Sequence, residues 1–175
     1  MMRLRSHFAL VAAGMLGLAA LGVPRAGVAA EPGSREAIDQ AAAVNTELAL
    51  AYMREGNLKA AREKIDKALQ QDARTANTQM AAGFVYDKLG DKKKALSHFE
   101  QAVKLGGKDN PDVVANAAVY FCMNGEPKRG EQYMLQAAAS PLNARPDVAY
   151  ANAGRCARGD GRPKDAEQSF RKALA

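Results

Sequence analysis

The chain of 175 residues has room for one compact domain or one short repeat array, and 47% hydrophobic content suffices for a core, which excludes disorder as the default. Of the formal +6 charge, half sits on Arg3, Arg5 and Arg25, leaving +3 on residues 31–175 with no Lys/Arg cluster interleaved with aromatics, so no nucleic-acid partner is expected. Aromatic residues make up only 6% and tryptophan is absent, so an alanine-rich core has to depend on close helix packing.

Residues 1–30 read as a signal peptide. Arg3 and Arg5 precede an uninterrupted apolar run over 8–23, and the small residues Val28, Ala29 and Ala30 stand before Glu31. The apolar run of 16 residues is short of the roughly 20 needed for a transmembrane helix, so cleavage after Ala30 and a periplasmic location are expected. The alternative is a retained membrane anchor. Residues 31–40, with Pro32 and Gly33, read as a polar leader, and the folded array is expected to start near Ala41.

From there the chain repeats itself. Gly56, Gly90, Gly125 and Gly161 are each followed by small and large residues at the same offsets of 5, 4 and 3: Ala61, Ile65, Ala68; Ala95, Phe99, Ala102; Gly130, Met134, Ala137; Ala166, Phe170, Ala173. A small residue stands seven positions before each glycine (Ala49, Gly83, Ala118, Gly154), and a ring stands four before it in three of the four units (Tyr52, Tyr86, Phe121). The unit recurs after 34, 35 and 36 residues, a period and pattern that resemble the tetratricopeptide repeat (TPR). The fold class expected is all-α, a TPR superhelical solenoid of about four helix-turn-helix repeats spanning residues 41–175. Repeats are placed at about 42–75, 76–110, 111–146 and 147–175, with extra residues absorbed in the boundaries 106–111 and 140–146. Neither helix of a unit buries its face alone, so neighbours have to stack, and Ala166, Phe170 and Ala173 on the last helix imply that further chain or a partner covers that end.

Catalytic chemistry finds no footing. The histidines are His7 in the signal segment and His98 on a second helix, no phosphate-cradling glycine loop follows a strand, and Asp160 and Asp165 lack the alternating ligands of a calcium loop. The run Lys92, Lys93, Lys94 reads as a solvated helix start. No enzyme activity, cofactor or metal is expected.

Two features point to function. Cys122 and Cys156 fall late in the first helices of adjacent repeats, and an exported protein meets an oxidising compartment, so a disulfide between repeats three and four is expected; the alternative is two small buried thiols. The repeat register also projects a binding groove from the first helices. It comprises Thr46, Leu50, Met53 and Arg54; Met80, Phe84, Asp87 and Lys88; Ala115, Val119 and Met123; and Ala151, Arg155 and Arg158. Its apolar stripe suits a helix or an extended apolar peptide, unless some of these side chains pack against the adjacent repeat. The Asn/Lys/Arg clamp for a peptide C-terminus is not recognisable.

Particular strings resemble the type IV pilus biogenesis proteins called PilF or PilW. They are Val44-Asn45-Thr46-Glu47-Leu48-Ala49-Leu50-Ala51-Tyr52-Met53, Asn116-Ala117-Ala118-Val119-Tyr120-Phe121-Cys122 and Ala149-Tyr150-Ala151-Asn152-Ala153-Gly154-Arg155-Cys156. The resemblance covers about residues 38–174 and four of the six or so repeats such proteins carry. It implies a pilotin-like scaffold whose partner is a secretin subunit or another pilus or envelope component. It also implies a lipoprotein, but no cysteine precedes Cys122, so any outer-membrane association is expected through the partner. The other reading is a general periplasmic TPR adaptor for cell-envelope or cell-wall proteins unrelated to pili.

Overall fold

The computed structural model describes residues 31, 33–107 and 109–175; the signal-peptide reading of residues 1–30 lies outside them. Among the described residues the chain forms eight α-helices: α1 Arg35–Arg54, α2 Leu58–Gln71, α3 Ala76–Lys88, α4 Lys92–Gly106, α5 Pro111–Met123, α6 Pro127–Ala138, α7 Pro146–Gly159 and α8 Pro163–Ala173. They pair antiparallel as α1/α2, α3/α4, α5/α6 and α7/α8. α1 begins inside the polar stretch 31–40, where the Ser34 side chain accepts the Ala37 N–H, so the first helix takes in residues 35–40.

The four turn glycines have one physical reason. Gly56, Gly90, Gly125 and Gly161 lie at φ of 78°, 80°, 91° and 73°, where a side chain is strained, while a Cβ there would meet nothing within 4 Å. Backbone conformation selects glycine here. The turn then closes on the first helix, as the next N–H reaches back five residues: Asn57 to Tyr52, Asp91 to Tyr86, Glu126 to Phe121 and Arg162 to Ala157. Asn57 and Asp91 cap the second helices by accepting the N–H of Ala60 and Lys94; in the later repeats Pro127 and Pro163 start them instead.

Between paired helices, size is exchanged for size. Where the second helix brings phenylalanine, the first has glycine: a Cβ on Gly83 would lie 2.9 Å from the Phe99 ring, and one on Gly154 would lie 2.6 Å from Phe170. Where the second helix brings Ile65 or Met134, the first has Ala49 or Ala118, buried in the same clusters. In the third pair the closest approach falls on the second helix, since a Cβ on Gly130 would stand 2.5 Å from the Cys122 sulfur and 2.7 Å from the Ala118 carbonyl. The main core runs from Ile65 through Val85 and Phe99 to Phe121, with the Phe99 ring stacked on Tyr120 at 4.2 Å.

Curvature follows from which helices touch. Successive first helices pack on one another (α1 on α3, α3 on α5, α5 on α7), whereas a second helix packs on its own partner and on the next first helix but not on another second helix. The array therefore bends with the first helices inside. α1 lies closely along α3, fastened by Thr46 and Thr78 hydroxyls 3.2 Å apart, while α5 touches α3 and α7 more sparsely. Space opens on the inner side there.

Candidate functional site: the inner face of the array

Three connected depressions occupy that space. The one between α3 and α5, about 520 Å³, is lined by Phe84, Asp87, Lys92, Asn116, Val119 and Met123 among others. A second of about 480 Å³ lies between α5 and α7, with Val119, Met123, Met134, Asn152 and Arg155 and both cysteines on its walls. A third of about 300 Å³ includes Ala115, Asn116, Arg145 and Asn152. Val119 and Met123 belong to the first two and Asn116 and Asn152 tie in the third, so they form one groove.

Of the residues projected from the repeat register, Phe84, Asp87, Ala115, Val119, Met123 and Arg155 come together there. Met123 is 79% exposed, which makes it the most open apolar side chain of the groove. Leu50, Met53 and Met80 are half-buried against the core of the first two repeats, because the small residues Ala49, Ala81 and Ala82 draw those helices together. Phe84 joins both, its ring edge-on to Phe99 at 5.1 Å. Two assignments are corrected. Thr46 is buried against Thr78 between α1 and α3, and Arg158 turns away from the groove, its guanidinium 5.8 Å from the Phe170 ring at the α8 end. Arg54 and Lys88 are exposed at the ends of α1 and α3, outside the three depressions; Ala151 is half-buried.

The register reading passed over Asn116 and Asn152. They stand nine residues before Gly125 and Gly161, so the repeat places both at the same height on consecutive first helices. That shared offset was the available signal; attention to apolar positions hid it.

A disulfide joins Cys122 to Cys156 with the Cα atoms 5.7 Å apart, fastening α5 to α7 where these helices have little other contact. Electrostatically the groove is nearly balanced. Lys92 donates to Asp87 at 2.5 Å, and that bond raises the ammonium pKa. Asp160 is held by Arg162, which also pairs with the buried Glu131. Arg155 bonds only the Asn152 side-chain oxygen, at 2.5 Å, and meets no carboxylate among the described residues. No three His, Cys, Asp or Glu side chains converge as metal ligands there, and no described helix is long and apolar enough to cross a membrane. The groove offers shape, apolar contact and amides: equipment for holding a chain.

Residues 40–106 match the tetratricopeptide repeat family. The chain folds as a TPR-repeat helical solenoid. An uncharacterized protein of Haemophilus influenzae is 32% identical over 101 residues, 58% of this chain and 56% of the relative. Among solved structures, PilW, a widely conserved type IV pilus biogenesis factor, superposes with a TM-score of 0.67 at 26% identity, over 77% of this chain and 61% of PilW. Pseudomonas aeruginosa PilF superposes with a TM-score of 0.69 at 23% identity, over 78% of this chain and 61% of PilF, a likeness of fold. The protein YrrB, described as having an unusual peptide-binding site, shares the fold at a TM-score of 0.61 and 20% identity, over 79% of this chain and 70% of YrrB. The chain thus spans less than two thirds of the length of its relative and of PilW and PilF.

Proposed function

We infer that this chain is a non-enzymatic periplasmic scaffold for type IV pilus biogenesis, which binds a segment of an envelope protein along its inner face and assists assembly and localisation of the outer-membrane secretin. TPR proteins are generally non-catalytic and bind protein partners. The groove of Phe84, Val119, Met123 and the two asparagines carries the binding part of the reading, because it joins half-buried and exposed apolar side chains to amides with hydrogen-bonding capacity left. The pilus part is supported by the likeness to PilW at 26% identity and by the two cysteine-bearing strings quoted above.

Deletion of the gene tests the reading. Loss of heat-resistant secretin multimers together with twitching motility is the expected result. Normal amounts of both would contradict the pilus assignment and favour an envelope adaptor unconnected with pili.

A further inference from the structure

We propose that copies of this chain associate head to tail, α8 of one copy seating on α1 of the next in the way one repeat seats on another. This surface is separate from the inner face. Register within the repeat carries the inference. Val44 and Leu48 stand twelve and eight residues before Gly56, and their counterparts are Thr78 and Ala82 in α3, Val113 and Ala117 in α5, and Ala149 and Ala153 in α7. All six counterparts are buried, whereas Val44 is 56% and Leu48 37% exposed. α8 mirrors this. Phe170 and Leu174 hold the register of Phe99 and Val103 in α4 and of Met134 and Ala138 in α6, all four of them buried. Leu174 is 89% exposed, and Phe170 is half-buried beside a hollow of about 510 Å³ that Arg158, Ala166 and Arg171 also line.

What covers these positions in the other repeats identifies the occupant. Each earlier second helix packs on the first helix that follows it, while α8 packs on α7 alone among the described helices. Phe99 of α4 stacks on Tyr120 of α5 at 4.2 Å, and Met134 of α6 shares a cluster with Ala153 of α7. Carried one repeat further, Phe170 calls for a first helix with an apolar residue at the register of Ala153, and in α1 that residue is Leu48. Ends of a solenoid that stay in water carry a polar outer face, and Val44, Leu48 and Leu174 do the opposite. Charge agrees. The residue three before one turn glycine and the residue one before the next line a common depression twice over, Asp87 with Asn124 and Cys122 with Asp160. Across a junction between copies those positions belong to Arg158 and Glu55, which carry opposite charges. Neither forms an ion pair among the described residues, and Arg158 already points to the α8 side, over the Phe170 ring. Because the contact joins two different faces, each copy added leaves one face of each kind open.

The test uses the full chain, expressed with residues 1–30 and purified as the cell leaves it. Sedimentation velocity from micromolar to millimolar concentration should give a weight-average mass that climbs past that of a dimer. Val44→Glu and Leu174→Glu alter exposed side chains and should keep the native melting temperature, yet each should leave a monomer at every concentration. Their equal mixture decides the geometry. Each variant retains one intact face, so the mixture should form a heterodimer and nothing larger, whereas Met123→Glu on the inner face should associate as the native protein does. A monomer throughout the native series overturns the proposal, and is the result expected if further chain or a different protein covers α8. Association that survives both variants overturns it too. So does a mixture that stays monomeric, the mark of a contact between like faces, and so does loss of association in Met123→Glu, which would put the contact on the inner face.

Discussion

Phe99 fills the place where any residue but glycine at position 83 would put its Cβ: three ring atoms lie 2.9 Å from that point, and the ring is fully buried. A rigid ring in a closed core cannot swing aside as a flexible chain end would. Gly83→Ala is therefore expected to destabilise the protein by about 1–3 kcal/mol through overpacking, and Phe99→Ala by about 3–5 kcal/mol through the cavity it leaves. Urea unfolding measures both. Combining them should cost less than the two single changes together, since the added methyl enters the vacated space.

At Gly90 the reason for glycine is different, and so is its signature. The φ of 80° strains any L-residue, but no atom lies within 4 Å of a Cβ. Gly90→Ala should cost about 1–2 kcal/mol, and no cavity-forming change nearby should relieve it. Urea unfolding of the single and paired variants separates the two mechanisms.

Reducing the Cys122–Cys156 disulfide, or replacing both cysteines with alanine, releases a loop of sequence separation 34. The chain-entropy treatment puts the lost stability at about 3–4 kcal/mol. Because the bond joins α5 to α7 across the groove, the same change should also weaken a protein partner held along the inner face. Unfolding with and without dithiothreitol reads the first effect, and the amount of heat-resistant secretin multimers in a strain carrying both alanines reads the second.

Arg162 holds Glu131, a carboxylate only 8% exposed, together with Asp160 and Asp165, and so locks α6 to the turn between α7 and α8. Arg162→Met should cost about 3 kcal/mol, largely by stranding the Glu131 charge, and Glu131→Leu placed on top should recover part of that. Equal unfolding midpoints for the single and double variants would count against this origin.

His98 gives the protein a pH dependence of defined sign. Burial, helped by Lys94 and opposed by Asp66 and Asp91, lowers its pKa, and it is stacked on Tyr86 with Nδ1 2.7 Å from the Gln79 side-chain oxygen. The unfolded chain, with a histidine pKa of about 6.5, takes up the proton more readily than the folded one. Stability from this group is thus present above about pH 6.5 and declines as pH falls toward the folded value. Melting temperature between pH 7.5 and 5.5 should fall more steeply in the native protein than in His98→Gln; parallel slopes would assign the dependence elsewhere.

Much of this architecture was legible in the chain. The glycine series fixes where each pair turns, and the small-large exchange across Gly83 and Phe99 or Gly154 and Phe170 stands in the sequence as a repeated spacing. The groove was legible only in its second half. A repeat register treats all first helices alike, but α1 and α3 are drawn together by alanines and the Thr46–Thr78 contact, so Leu50, Met53 and Met80 become packing, whereas α5 stands off from its neighbours and leaves Val119 and Met123 open. Distances between repeats depend on side chains from several helices at once, which a periodic pattern does not encode. Arg158 was misplaced for a related reason: the Phe170 ring draws it to α8.

The central claim is that this scaffold serves pilus assembly through its inner face, and Met123 tests it most directly because it is exposed, borders both larger depressions and supports no core. A chromosomal Met123→Glu allele should give a protein of native melting temperature and normal abundance, with twitching motility and heat-resistant secretin multimers lost as in the deletion strain. Wild-type motility and multimers in that strain would contradict the account.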